Sequence, residues 1–234
     1  MGAVRRRAKP RRPQARRADV PAPAAGTRER LLDAAGSLLE EGGYAAASVQ
    51  AIADRAGVSA GALYRHFPSK ARLFVQVFRD SARRDLAAVD EAAATGGCVE
   101  RLEAAVATHA RRALGRRRLA WALLHEPVDP LVDAERLAHR RKYCRQMAGL
   151  LRQAIAAGEL PEQDAELCAA ALVGAIAEAL VGPLSPLAGR RADVEETIAG
   201  LVRFCRRSVG APDAQTTSST GCAGSPVARA TAVA

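Results

Sequence analysis

Apolar residues recur along most of the chain at the three- and four-residue spacing of an amphipathic helix. Leu31, Ala35, Leu38 and Leu39 form one stripe, which predicts a helix capped by Thr27 and stopped at Gly42 and Gly43. Val49, Ile52, Ala53 and Ala56 form a second, capped by Ser48 and ended by Gly57. Only Gly57 and Val58 precede Ser59, the cap of a third helix in which Leu63 and Phe67 share a face before Pro68 closes it. Ser69 caps a fourth, longer helix with Leu73, Phe74, Val77 and Phe78 on its inner side. Beyond Cys98, breakers at Gly115, Pro127 to Pro130, Gly158 to Pro161 and Gly182 to Gly189 divide the chain into about five more helices.

Composition agrees with this reading. Hydrophobic residues make up 49% of the 234 but aromatics only 3%, and the abundant Ala, Leu, Arg and Glu favour helix over strand, so the fold class expected is all-α. The formal net charge of +10 points to a polyanionic partner, yet +7 of it falls in residues 1 to 19, leaving the remainder mildly basic. Residues 1 to 25 are Arg, Pro and Ala without periodicity, and residues 211 to 234 are rich in Ser, Thr, Ala and Gly; both are expected to be disordered. The five cysteines are scattered, with no CxxC pair and no His at ligand spacing, so neither a disulfide framework nor a metal site is expected. No apolar run is read as approaching the roughly 20 residues that span a bilayer, which makes a cytoplasmic protein without a membrane role the expectation. No Gly-rich segment follows a strand pattern, and no phosphate-cradling loop or cofactor site is expected.

Two short helices joined by a Gly-containing turn, with a small apolar residue after the Gly, carry the signature of a helix-turn-helix. The turn needs Gly in a left-handed conformation and a plug, here Val58, so that the second helix crosses the first steeply and offers its leading end to a major groove. A longer string sharpens the signal. Residues 27 to 78, and above all IADRAGVSAGALYRHFPSK, resemble the DNA-binding domain of the tetracycline-repressor (TetR) family of bacterial regulators. The rest of the chain resembles that family in length and helical character.

The resemblance implies a homodimeric repressor of double-stranded DNA, released from a palindromic operator by a small molecule. It divides the chain into a basic arm (1–25), a helix-turn-helix domain (26–72), a helical effector-binding and dimerisation domain (73–210) and a tail (211–234). Tyr64 and Lys70 match phosphate contacts, His66 lies at the same interface, and Ser48 and Gln50 match positions near the DNA backbone, where helix N–H groups attract phosphate. Ser59 opens the recognition helix, and Ala60, Gly61 and Ala62 occupy the positions that face base edges. Three such small residues make no bidentate hydrogen bonds, so readout is left to backbone proximity, thymine-methyl contact, Arg65 or DNA shape. A cation at Lys70, just inside a helix N-terminus, is better explained by a nearby anion.

Residues 164 to 182 are apolar nearly all round, and Val194, Ile198, Leu201, Val202 and Cys205 stripe residues 193 to 208, with Phe204 off the stripe. Helices with two apolar faces need two partners; in the family the last two helices pair with their copies in a four-helix bundle. Residues 98 to 157 are expected to enclose an effector pocket, with Trp121, Leu124, His125, Tyr143 and Met147 as candidate lining. His125 and Glu126 stand together before a Pro turn, but no nucleophile or metal motif accompanies them, so no enzyme is expected. Two other readings fit the residues: an architectural protein binding DNA without sequence preference, and a helical ligand-binding protein with no DNA role. A competition gel shift separates all three.

Overall fold

The computed structural model describes residues 26–187 and 193–212; the arm before Gly26 and the tail beyond Pro212 lie outside the described residues, and so do the expectations of disorder attached to them. Among the described residues there are nine helices and no strand: α1 (Thr27–Ala46), α2 (Val49–Ala56), α3 (Ala60–His66), α4 (Lys70–Ala92), α5 (Cys98–Gly115), α6 (Arg117–Leu124), α7 (Pro130–Ala156), α8 (Ala165–Leu184) and α9 (Val194–Ser208).

Three serines start three successive helices. The hydroxyls of Ser48, Ser59 and Ser69 accept the N–H groups of Ala51, Ala62 and Arg72 at 3.1, 3.2 and 3.2 Å. Each cap satisfies an N–H that the helix itself leaves without a partner, worth about 1 kcal/mol. The start of α1 differs from the sequence expectation. Gly26 occupies the cap position in place of Thr27, and the Glu29 carboxylate accepts the Gly26 N–H at 2.7 Å. Its end differs too: Gly43, at φ 68° and ψ −162°, kinks the chain, which then turns once more to Ala46. Gly57, at φ 65° and ψ 39°, takes the left-handed conformation that the turn between α2 and α3 requires.

The buried apolar side chains form two clusters. The first joins α1, α2 and α3 to the leading half of α4 through Leu31, Leu39, Ile52, Leu63, Leu73 and Phe74. It extends past residue 72 to Phe78 and takes in Leu119, Ala122 and Leu123 of α6. The second fills the body between α5, α7, α8, α9 and the far end of α4, with Leu102, Met147, Leu151, Ile176 and Leu201 at its centre. Helix α4, 23 residues and about 35 Å long, therefore begins in one cluster and ends at Val89 in the other.

Short α6 lies between the clusters. Arg136 of α7 holds its trailing end, with Nε donating to Leu123 O at 2.6 Å and Nη2 to Ala122 O and Glu126 O at 3.1 and 2.9 Å. The first two are carbonyls that a helix C-terminus leaves without partners, and the third belongs to the turn that follows α6.

Helix α8 corrects one expectation. At 20 residues it is long and apolar enough to cross a bilayer by length and composition alone. Its inner stripe, Ala169, Leu172, Val173, Ile176 and Leu180, packs into the helical body, and Glu166 and Glu178 interrupt its length. Counting strictly uninterrupted apolar residues hides a helix of this kind.

Candidate nucleic-acid interface and effector cavity

Helix α3 is held from beneath. Leu63 and Phe67 are sealed in the first cluster, and Val58 packs against it from the turn, its N–H donating to Ala53 O at 3.0 Å. What remains outside is a short ridge. Gly61, Tyr64, Arg65 and His66 are exposed and Ala60 is half-buried, so that Ala60 precedes Tyr64 by one turn and Gly61 precedes Arg65 by one turn. Tyr64, 53% exposed, is no core aromatic, and neither it nor Arg65 has a hydrogen-bonding or ionic partner among the described residues.

Ala62 departs from its expected place. Only 5% exposed, it turns inward beside Leu63, so two of the three small residues, not three, face outward. A seven-residue helix resting on α2 needs positions 62, 63 and 67 for its inner side, which leaves 60 and 61 for the outer one. A Cβ on Gly61 would meet only Ser59 Oγ at 3.9 Å; the glycine leaves the backbone of α3 bare to an approaching surface.

The flanking residues are placed as follows. Ser48 and Ser59 are exposed at the leading ends of α2 and α3. Gln50 is exposed, with its amide donating to Asp54 Oδ1 at 2.7 Å along α2. Lys70 has its ammonium 5.3 Å from the centre of the Phe74 ring, and partial burial pulls its pKa below the usual lysine value. The aromatic face thus accounts for part of what the sequence assigned to a nearby anion. Arg28 was missed: its guanidinium lies 5.3 Å from the centre of the Phe67 ring, adding a cation at the trailing end of α3. Nothing local to residue 28 signals this, because the two residues are brought together only by folding.

A cavity of about 330 Å³ lies under α6, within the size range of small-molecule sites. Phe78, Ser81, Ala82 and Asp85 of α4 form one wall, His109, Arg112 and Ala113 of α5 another, and Leu119, Ala120, Leu123 and Leu124 of α6 a third, with His139 of α7 closing it. Of the five candidates from sequence, Leu124 lines it. Trp121 and His125 stack on each other at 4.9 Å without lining it. Tyr143 and Met147, 3% and 0% exposed, belong to the body core, since α7 passes the cavity at His139 and runs on into the bundle. The α4 wall was missed altogether. Its residues are far in sequence from α5 to α7, and their pattern reads simply as a helix with an apolar side.

The polar groups of the cavity are organised around Asp85. Its carboxylate meets His109 Nδ1 at 2.8 Å and accepts Arg112 Nε–H at 2.9 Å. Burial disfavours the ionised form, but these two partners outweigh it and hold the Asp85 carboxyl below its usual pKa. The His109 ring stacks on buried Tyr143, centroids 4.6 Å apart, and burial drives the Tyr143 hydroxyl well above its ordinary value. His139 packs edge-to-face with Phe78 at 5.8 Å; burial lowers its pKa, and its Nδ1 is enclosed without a hydrogen-bond partner among the described residues.

Helices α1 and α6 are joined by a half-buried tie. Glu126, just after α6, accepts the N–H of Tyr44 at 2.8 Å and pairs with Arg118 at 3.2 Å. The fit explains the kink in α1: a Cβ on Gly43 would clash with the Glu126 carboxylate and lie 2.6 Å from the Arg118 guanidinium. Glu126, weighed from sequence as half of an acid/base pair, is thus engaged in holding α1 to α6. Tyr44 packs edge-on against Phe74 at 4.7 Å, and burial pushes its phenol up to about 12.

Known proteins share this architecture. Residues 31–77 match the family of bacterial regulatory proteins named for tetR, and residues 95–180 match the tetracyclin repressor-like C-terminal domain. The HTH-type transcriptional repressor KstR of Mycolicibacterium smegmatis is 44% identical over 70 residues, 30% of this chain and 34% of that protein. KstR2 of Rhodococcus jostii is 32% identical over 114 residues, 49% of this chain and 56% of its own. The transcriptional regulator FadR from Bacillus subtilis, solved in complex with stearoyl-CoA, superposes with a TM-score of 0.67 at 21% identity over 78% of this chain and 97% of that one, a likeness of fold. The chain thus matches about a third to a half of these curated relatives. With the ridge-bearing headpiece matching one domain of the family and most of the body matching another, the chain belongs to the tetR family of bacterial regulatory proteins.

Proposed function

We propose that this chain is a homodimeric, cytoplasmic transcription repressor that grips a palindromic operator with α3 of each copy and releases it when a small molecule fills the cavity under α6. The observation that carries the reading is the outer side of α3, where Gly61, Tyr64 and Arg65 stand exposed on a rigidly capped helix. In this reading Tyr64, His66, Lys70 and the leading ends of α2 (Ser48, Gln50) and α3 (Ser59) hold phosphates, while Ala60 and Gly61 bring the backbone close to base edges. Sequence preference then comes from Arg65 and from DNA shape.

Helices α8 and α9 support the dimer. Only a third of the most apolar stretch of α8 is buried within the chain. Leu167 is 67% exposed and Phe204 of α9 50% exposed, forming an apolar surface that a second copy would cover. Two copies present two recognition helices about one DNA turn apart.

Coupling follows from α4 and α6. A ligand packed against α6 displaces the element that Glu126 ties to α1, and α4 carries the change along its length. The ligand acts only by as much as it prefers one arrangement, typically 1–3 kcal/mol.

The test is selection of genomic fragments by the purified protein, followed by gel shift against random competitor at physiological salt. Preference for the selected site by about a thousandfold supports the reading; equal competition by random DNA overturns it. Phe204→Glu should leave a monomer with weakened operator binding, seen by sedimentation and gel shift together.

A further inference from the structure

We infer that the cavity under α6 takes an amphipathic anion: a compact apolar body ending in one carboxylate or phosphate, with Arg112 and Arg116 receiving the charge. The inference rests on the reading of the cavity as the effector site and goes on to assign the chemistry of its occupant.

The lining decides this. Phe78, Leu119, Leu123 and Leu124 with neighbouring alanines make most of the wall apolar, which selects an apolar body. Two guanidiniums join that wall. Arg112 uses Nε on Asp85, and Arg116 uses Nε on Glu40 of α1; for neither do the outer Nη donors have a partner among the described residues. A guanidinium carries five donors in a planar fork, so each retains donors suited to an oxyanion. The one carboxylate in the lining, Asp85, is already committed to His109 and Arg112, and burial disfavours the charged form of His139. Within the lining two guanidiniums face one carboxylate, while Glu40 lies outside it, and the side-chain exposure of 41% for Arg112 and 52% for Arg116 puts both cations at the mouth. A neutral apolar ligand would leave those donors idle; an anion would use them. The volume, near the lower end for small-molecule sites, favours a ligand of about ten carbons.

Arg116 adds a consequence. Its present partner, Glu40, sits on α1, so an anion at the mouth competes directly with a residue of the DNA-binding unit. Removing Glu40 should therefore strengthen anion binding.

The experiment uses the full chain and three probes sharing a ten-carbon chain: decanoate, decyl phosphate and decanol. A fourth, decanoyl-CoA, tests whether the anion can come from a bulky carrier. Binding is followed calorimetrically and by the fluorescence of Trp121, the only tryptophan. The two simple anions should bind at least tenfold more tightly than decanol. Arg116→Gln should erase about tenfold of that advantage with decanol unaffected, and Glu40→Gln should raise anion affinity severalfold. Tighter binding of decanoyl-CoA with the same arginine dependence supports the anion site and assigns the charge to the carrier. Decanol binding as well as decanoate, or no probe binding at all, overturns the inference. Anion-selective binding that leaves operator occupancy unchanged sinks the effector reading instead and leaves the anion site standing.

Discussion

The headpiece and the body handle their polar chemistry in opposite ways. In the headpiece the packed side chains are apolar apart from the enclosed Tyr44 hydroxyl, and the groups proposed to meet DNA stand on the outer side of α3, with Tyr64 more than half exposed and Arg65 without a partner among the described residues. In the body the outside of α8 is apolar, while Asp85, His109 and Arg112 gather along a cavity, the first two half-buried and Arg112 at its mouth. We read the first as suited to a polyanion, with its donors kept in water, and the second as suited to a small molecule, with its carboxylate satisfied within the protein. Each arrangement would fail in the other's place. The two are joined at Glu126, a half-buried carboxylate that accepts from the end of α1 and pairs with Arg118 of α6.

The largest effect is expected at that meeting point. Glu126→Ala removes the acceptor of the Tyr44 N–H and leaves Arg118 without its partner, which should cost roughly 2–4 kcal/mol, measured by urea unfolding. A loss under about 0.5 kcal/mol would mean that headpiece and body are joined elsewhere. Gly43→Ala attacks the same joint from the other side, combining positive φ with a clash against the carboxylate, and should cost more than Gly57→Ala, where strain acts alone. For Gly57→Ala the expectation is about 1–2 kcal/mol. If calorimetric scans rank the two glycines the other way, the tie at Glu126 yields too easily to serve as one.

Inside the body, Asp85→Asn should cost about 1–3 kcal/mol at neutral pH. Its carboxyl titrates lower in the folded chain than in the unfolded one, so its contribution is complete above the ordinary carboxylate pKa and is lost as pH falls through the lowered folded value. Urea midpoints from pH 7 to pH 3 should therefore fall less steeply for the variant than for the native chain. Parallel curves would remove Asp85 from the organisation of the cavity. The smallest effect belongs to the headpiece surface. Tyr64→Phe should leave stability unchanged, since the hydroxyl has no partner among the described residues, and weaken operator binding three- to tenfold by loss of the proposed phosphate contact. A stability loss without a change in DNA affinity would turn Tyr64 into a packing residue after all.

What could be read from residue order alone follows the same division. Ser48, Gly57, Ser59 and Ser69 state their roles locally, because a cap or a left-handed turn is decided within four residues, and the helices they bound fall where the pattern put them. Ala62 was misplaced because a seven-residue helix has too little periodicity to separate its inner side from its edge. The cavity was barely legible. Its walls come from α4, α5, α6 and α7, and whether Tyr143 or His139 faces it depends on how far α7 slides past the others. Glu126 was noticed for its chemistry, but its partners lie 82 residues upstream at Tyr44 and across α6 at Arg118, a pairing that no spacing rule encodes.

The fastening of α6 constrains the motion available to it. Arg116 is shared between the end of α5 and the start of α6, its N–H donating to Arg112 O and its carbonyl accepting from Ala120, while Arg136 grips the carbonyls at the far end. A rod pinned at both tips does not swing; it spins. Rolling α6 about its axis would turn Leu119 and Leu123 against α1 while Ala120 and Leu124 turn against whatever fills the cavity. Occupancy would then reach the headpiece as torque.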